Sequence, residues 1–321
     1  MDRATRPLRW LEITADYRCN NRCLGCFAVA DEGPSMSPPE IVAALRRGRN
    51  EGAEGLWLGG GEPTLRRDLL ATVRAARALG YARVKLQTNG MLLGYEDFAR
   101  RCAEAGVTEV AFSIKGHDAE THDRLARTPR CHALMREGMK HARALGMSLE
   151  GDVLVYRSNV HALEDTVRAY AAAGVVRFRL WLLAALDVND ATVRAEVPRV
   201  TELARHASHT IEATRALSPA SDFITVLHTP PCVMPEAHRA HLIRARDFAL
   251  RVVNPGGHTF MLEDSGMEGG AYLPACDACA LRARCDGPRH DYLHVHGGAE
   301  FVHVPALHAI PSTREGSETP P

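Results

Sequence analysis

The sequence predicts an α/β fold built on a largely parallel sheet, and three observations predict it. Six short apolar runs are separated by helical patterns, so strand and helix alternate along the first part of the chain. Several of those helical patterns end on glycine, as helix C-termini often do. Polar or glycine-rich loops follow the runs at one end, where folds of this class gather their chemistry. Right-handed crossovers then lay the strands side by side, in an open sheet or one closed into a barrel.

The runs are LRWLEIT (8–14), GLWLG (55–59), RVKLQT (83–88), EVAFSI (109–114), LEGDVLVY (149–156) and RFRLWLL (177–183). Helical patterns cover 38–52, 65–80, 95–106, 131–146 and 161–174. The loop CNNRCLGC (19–26) follows the first run, GGGEPT (59–64) the second, NG (89–90) the third and KGHD (115–118) the fourth. Past residue 190 the pattern changes. Residues 190–217 read as helical, then FITVLH, NPGG and HTFMLED read as short strands and turns, a second and smaller unit. The chain therefore divides into 8–188, 189–310 and a Pro/Ser/Glu-rich tail, 311–321, expected to be disordered.

Composition bounds the function. Among 321 residues, 45% are apolar and 24% charged, an ordinary globular balance. Lys plus Arg and Asp plus Glu each number 39, so no basic field points to nucleic acid or an anionic membrane. No apolar run nears the ~20 residues of a membrane span, and the polar start lacks a signal-peptide core. The expected location is the cytoplasm, where nine cysteines serve better as metal ligands or free thiols than as disulfides.

Those cysteines are clustered. Cys102 and Cys131 sit in helical patterns and read as small buried side chains. Cys19, Cys23 and Cys26 are spaced C-x3-C-x2-C on one loop. A [4Fe–4S] cubane normally takes four thiolates, so three leave one iron open to a further ligand, as an open position distinguishes catalytic from structural zinc. A zinc site would instead pair C-x2-C with a second such pair.

The C-x3-C-x2-C loop after the first strand, with GGGEP after the second, resembles the radical S-adenosylmethionine (radical SAM) superfamily over residues 8 to about 185. The resemblance implies a partial (β/α)6 barrel, with SAM on the open iron of a [4Fe–4S] cluster held by Cys19, Cys23 and Cys26. It implies reductive cleavage of SAM to a 5′-deoxyadenosyl radical that abstracts hydrogen from substrate. It places Gly59, Gly60, Gly61, Glu62 and Pro63 against SAM, Glu62 taking the methionine ammonium. Thr88 and Asn89 supply hydroxyl and amide contacts, and Ser113 and Lys115 meet the ribose and carboxylate; as residues alone, these last two read equally as solvated strand ends. Gly25 stands where many members carry an aromatic residue near the adenine, and Phe27 follows the third cysteine. Asp152, Tyr156 and Trp181 could line the cavity, though Trp181 reads better as core. Lys115, Tyr156, Arg179, Asp187 and His228 are candidates for proton transfer by position only.

Near the end of the chain, Cys276-x2-Cys279-x5-Cys285 resembles part of the SPASM and twitch extensions of the same superfamily. Cys232 can complete four ligands, which implies one auxiliary [4Fe–4S] cluster of twitch size. A four-cysteine zinc knuckle is the alternative, and a third arrangement leaves Cys232 free with substrate in the fourth position. His290, His294, His296, His303 and His308 are spaced irregularly and read as surface or core, with YLHVHGGAEFVHVP (292–305) as a closing hairpin.

The expected reaction is oxidation or rearrangement begun by hydrogen abstraction, with the auxiliary cluster accepting an electron. The substrate is a ribosomal peptide or a natural product, or alternatively a small sugar, aminocyclitol or nucleoside. A reductant such as flavodoxin or ferredoxin is the expected partner. The short lead before the first strand is expected to hold neither a peptide-recognition nor a cobalamin domain. A non-catalytic iron–sulfur or zinc protein is the reading from another class, and the GGGEP loop argues against it.

Overall fold

The computed structural model describes residues 7–26, 33–268 and 270–305. Phe27, His308 and the tail 311–321 lie outside them. Along the chain come β1 (Trp10–Thr14), α1 (Pro38–Asn50), β2 (Gly55–Gly59), α2 (Leu69–Ala78), β3 (Arg83–Thr88), α3 (Glu96–Ala105) and β4 (Glu109–Ile114). Next are α4 (Ala119–Ala126), α5 (Cys131–Ala144), β5 (Ser148–Val155), α6 (Leu163–Ala172) and β6 (Val175–Leu182). The remainder holds α7 (Ala191–Glu196), α8 (Val200–Thr214), β7 (Ile224–Leu227), β8 (Leu250–Val253), β9 (Thr259–Met261) and α9 (His290–His296).

Local chemistry sets the helix ends. Pro38 opens α1, and Glu40 reaches back to accept from the Ser37 N–H at 2.7 Å. α3 stops where Gly106 turns left-handed at φ 113°. α4, which the sequence did not reveal, is one short amphipathic stretch capped by Asp118, whose carboxylate accepts from Thr121 N–H at 2.7 Å.

The strands form one open nine-stranded sheet in the order β7-β6-β5-β4-β3-β2-β1-β8-β9. All neighbours from β7 to β8 are parallel, and β9 returns antiparallel on β8. The sheet is thus the α/β, largely parallel architecture expected. The stretch expected to form a second unit past residue 188 supplies β7, β8 and β9 to this same sheet.

Two readings are corrected, and one strand is added. The helical stretch 190–217 is broken at Pro198 into α7 and α8, since proline cannot continue the hydrogen-bond ladder. LRVV (250–253) is a strand, β8, beside β1. The expected closing hairpin over 292–305 is instead the helix α9 and an irregular segment. Its Tyr292 is buried, donates to Glu300 and accepts from Val200 N–H at 3.0 Å, so tertiary anchoring overrides the alternation of the sequence.

Side-chain alternation gives the sheet two unlike faces. Leu11, Ile13, Leu56, Leu58, Val84 and Leu86 join the helices in the large apolar core. The inner face carries Trp57, Lys85, Gln87, Glu150, Asp152, Arg179 and Trp181. Phe248 meets Trp57 of β2 at 6.1 Å and Trp181 of β6 at 6.4 Å, so the sheet curls until distant strands share a neighbour. Buried charges lock that curl: Lys85 Nζ lies 2.5 Å from Glu150, and Arg179 lies 2.8 Å from Glu150 and 2.6 Å from Asp152. Lys85 also sits over the Trp57 and Trp10 rings at 4.5 and 4.7 Å.

Burial pushes the Glu150 carboxyl up, but Arg179 and Lys85 beside it outweigh that and hold it at about 2. Its folded value lies below the ordinary 4.5. Its contribution to stability is therefore complete above about 4.5 and fades as pH falls toward about 2. We expect Glu150→Gln to destabilise the protein by about 3–5 kcal/mol at neutral pH, because two buried cations lose their partner. In urea titrations the gap between the two proteins should narrow below pH 4.5; a constant gap would contradict the assigned ion pairing.

Candidate active site

The C-terminal ends of β1, β2 and β3 carry three loops that are joined atom by atom. Gly60 takes φ 102°, and a Cβ on Gly61 would lie 2.2 Å from the Arg18 carbonyl oxygen. Only glycine lets the loop approach so closely. At that distance Gly61 N–H donates to Asp16 O (3.0 Å) and Glu62 N–H to Arg18 O (2.7 Å). The glycine loop is thereby stitched to the backbone that leads into Cys19.

Glu62 follows with a carboxylate 1% exposed. Its Oε1 accepts from Thr64 N–H (3.0 Å), Thr64 Oγ1 (2.6 Å) and Thr88 Oγ1 (2.7 Å), and its Oε2 from Asn89 N–H (2.8 Å). Burial raises its pKa, and these bonds oppose the rise. Four donors on a group with about four lone-pair sites leave Oε2 the less occupied oxygen. Asn89 Nδ2 in turn donates to Asn20 Oδ1 at 2.7 Å, closing a ring of contacts from the cysteine loop to β3.

The cysteine loop is held from below as well. Arg22 and Leu24 N–H donate to Ala126 O (3.2 Å) and Leu125 O (3.0 Å) at the end of α4, and Cys26 N–H donates to Cys23 O at 3.2 Å. Cys19 Sγ accepts from Asn21 N–H at 3.4 Å. Burial pushes the Cys19 thiol up to about 11, with smaller pushes from Glu62, Cys23 and Cys26, so binding metal there would release protons. Gly25, at φ 72°, packs where a Cβ would sit 3.0 Å from Leu183, which leaves little room for a larger side chain there.

Asn21, 2% exposed, has neither carboxamide atom paired among the described residues. An orphaned amide beside three half-buried thiols fits a loop built around sulfur-rich, hydrogen-bond-accepting cargo. Among the described residues no three His, Cys, Asp or Glu side chains are poised around a single ion.

The other expected residues fall into place unevenly. Ser113 is half-buried at the end of β4. Lys115 is 3% exposed, its N–H donating to His122 Nδ1 (3.3 Å) and its carbonyl accepting from Asn159 (2.8 Å). Tyr156 is not a cavity residue: it is fully buried and its hydroxyl donates to Leu24 O at 3.0 Å, bracing the cysteine loop. Asp152 is committed to Arg179, Trp181 Nε1 (3.2 Å) and Gln87 Nε2 (2.9 Å), so Asp152 and Arg179 form wall rather than free groups. Trp181 is only partly buried. Asp187 is exposed. His228, at φ 60°, bonds Glu268 (2.8 Å) through Nε2 and Arg289 (3.0 Å) through Nδ1, which leaves neither nitrogen open.

Two residues that sequence reasoning passed over hold the rim. Asp16 is 5% exposed and pairs with Arg66 at 3.0 Å and with Arg18 at 2.7 Å. Arg66 also donates to Ser35 Oγ and Met36 O, both at 2.9 Å, tying the chain beyond the cysteines to the glycine loop. The available signal was an arginine two residues past GGGEPT, too common to single out.

Across the molecule, Cys232, Cys276, Cys279 and Cys285 line one cavity of about 380 Å³ including its mouth, walled by Pro230, Pro231, Tyr272 and Phe301. Burial first, then Cys285, Cys279 and Cys276, push the Cys232 thiol up to about 11. Backbone amides already point at two of the sulfurs: Gly287 N–H at Cys285 (3.2 Å) and Val304 N–H at Cys279 (3.5 Å). Cys102 and Cys131 are fully buried, as expected. His303 touches this cavity, whereas His290, His294 and His296 belong to α9.

Residues 16–170 match the sequence pattern of the radical SAM superfamily. The chain is 35% identical over 149 residues to a probable GTP 3′,8-cyclase of Saccharolobus islandicus, covering 46% of this chain and 47% of that protein. It is 28% identical over 183 residues to the probable GTP 3′,8-cyclase of Sulfurisphaera tokodaii, covering 56% and 58%. The matched stretch thus spans about half the length of these curated relatives. Among solved structures, Streptococcus suis SuiB bound to S-adenosylmethionine superposes with TM-score 0.69 at 15% identity, over 94% of this chain and 77% of that one. anSMEcpe with bound AdoMet gives TM-score 0.64 at 13% identity, over 93% and 90%. At such identities the likeness is one of fold.

Gly61→Ala should force the glycine loop off the Arg18 carbonyl. We expect a loss of about 1–3 kcal/mol in stability and faster amide exchange at Gly61, Glu62 and Asn89. Unchanged exchange at those three amides would refute the stitched-loop description.

Proposed function

We infer that this chain, whose residues 16–170 match the radical SAM superfamily, an enzyme family, binds a [4Fe–4S] cluster through Cys19, Cys23 and Cys26 and SAM at the rim above them. The carrying observation is the buried Glu62 carboxylate, which joins the glycine loop, the end of β3 and, through Asn89, the cysteine loop. When bound, that assembly supplies a 5′-deoxyadenosyl radical able to take a hydrogen atom from substrate.

This chain's own residues then bind and orient. Gly59, Gly60 and Gly61 offer backbone without side chains, and Pro63 with Thr64 fixes the turn that presents Glu62. Glu62 Oε2 is the acceptor for the SAM ammonium, with Thr88 and Asn89 holding it in place. Ser113 and Lys115 are assigned to the ribose and carboxylate end. Asn21 is assigned to a sulfur of the cluster, where amide bonds tune potential.

Cys232, Cys276, Cys279 and Cys285 are assigned to one auxiliary [4Fe–4S] cluster of twitch size. Its support is four thiols around one largely apolar cavity. Such a site suits the removal of an electron from substrate, so the proposed reaction is oxidation or rearrangement. The reductant is assigned as a flavodoxin or ferredoxin type of carrier, and the enzyme is assigned to the cytoplasm; no helix among the described residues is long and apolar enough to cross a membrane.

For the substrate, the polar inner wall and the similarity to probable GTP 3′,8-cyclases favour a small hydroxyl-rich molecule such as a sugar, aminocyclitol or nucleoside. Modification of a ribosomal peptide is the second reading, and the extent of the fold shared with SuiB keeps it in view.

In reconstituted, reduced protein, Cys19→Ala should form no 5′-deoxyadenosine from SAM; residual formation above one-hundredth of wild type would overturn the ligand assignment. With Cys19, Cys23 and Cys26 all changed to alanine, about four irons per chain should remain, held by the C-terminal cysteines. Zinc in place of iron would leave a structural knuckle and remove the electron acceptor.

A further inference from the structure

Glu12 lies in the middle of β1, opposite Trp57 on β2 and Val252 on β8. The alternation of β1 turns it to the inner face. A Cβ built on Gly59 would lie 3.1 Å from Glu12 Oε1 and 3.1 Å from Gln87 Oε1. The two side chains therefore converge on the space that Gly59 leaves open, next to the Gly60–Glu62 loop.

Other acids of this wall are matched. Glu150 and Asp152 take Arg179, and Glu109 takes Arg83 and Lys85. Glu12 instead has the Thr14 hydroxyl beside it, and the charge that bears on it is another carboxylate, Asp152. Facing it are Trp57 and Gly59 from β2, Gln87 from β3, Asp152 from β5, Val252 from β8 and Tyr17 beyond β1, none of them a cation.

We propose that Glu12 is the wall residue that exchanges a proton with the substrate. An O–H or N–H proton of the substrate passes to a Glu12 carboxylate oxygen, or returns from it, and no other bond changes in that step. The group it faces is a neutral hydroxyl or amide, because a fixed anion would meet the Glu12 carboxylate. The proposal rests on the radical SAM reading for the presence of substrate in this chamber. Burial first, then Asp152, push the Glu12 carboxyl up to about 7, so both protonation states are populated near neutrality.

The test uses the reconstituted holoenzyme, first assayed for 5′-deoxyadenosine formation from SAM. Infrared difference spectra of wild type and E12Q are then taken from about pH 5 to about pH 9, with SAM as the probe. We expect a protonated-carboxyl band in wild type that E12Q lacks and that disappears with a midpoint near 7. SAM, whose sulfonium is a cation at the chamber, should lower that midpoint by about 1. No such band, or a midpoint SAM leaves in place, would overturn the proposal. If E12Q does not fold, E12D makes the same distinction: the wild-type band shifts on labelling with 13C-glutamate, whereas the band of the E12D carboxyl does not. Failure to form 5′-deoxyadenosine would sink the SAM reading, while the titration without SAM still decides whether Glu12 holds a proton that it can give up near neutrality.

Discussion

Glu62 is a carboxylate withdrawn almost completely from water, and the rim of the molecule is arranged around satisfying it. Each of its bonds fixes something else. Thr64 requires the turn after Pro63, Thr88 and Asn89 require β3 to end in register with β2, and the backbone at Glu62 requires the Arg18 carbonyl within reach. Bonds to an ionised group are worth about 1.5–3 kcal/mol each, and leaving one unmade costs a comparable amount. The loops are therefore coupled: none can relax without exposing a buried charge to an unpaired neighbour. Gly60 and Gly61 are the steric condition for that coupling, since a side chain would stand where the two backbones meet.

The same logic runs down the inner face. Parallel sheets covered on both sides are usually apolar on both. Here the helix-facing side follows that rule, while the other carries Lys85, Glu150, Arg179 and Asp152 in contact across non-adjacent strands. Such pairs add little net stability compared with apolar packing, but they tolerate few alternative arrangements. They set the curvature that brings β2 and β6 toward Phe248, and so the width of the space above them. A polar wall with most of its charges matched leaves Glu12 conspicuous as the acid without a cation.

Much of this was legible in residues. GLWLG, RVKLQT and EVAFSI are strands to the residue, and the runs at 149–156 and 177–183 are displaced by one or two. Apolar periodicity works there because one face of each strand packs against helices. It fails at α4, whose eight residues bury too few apolar side chains to show a period, and at β8, whose four residues resemble any short apolar stretch. It misleads at α9, where Tyr292 and a buried hydrogen bond decide for helix. Of the site, the spaced cysteines and GGGEPT announced themselves because chemistry and backbone geometry restrict them to few residue types. Asp16, Arg66, Gln87 and Glu12 did not, since a single polar residue in a strand or loop is ordinary until its neighbours are known.

The sheet order has a consequence for how the chain comes into being. β1 precedes every other strand of this sheet along the chain, yet one of its two partners is β8, with Trp10 beside Leu250. A nascent chain can lay β2 to β7 down in succession while the outer edge of β1 stays bare. The cysteine loop thus precedes β2 to β7 along the chain, and the strand that carries it is closed in only after they have been made. Pairing over so long a separation is slow, and an unpaired parallel edge invites another chain. Until residues 250–253 arrive, the strand leading into the cysteine loop keeps one row of backbone groups unpaired, and that interval is when a new molecule is most open to association with another chain.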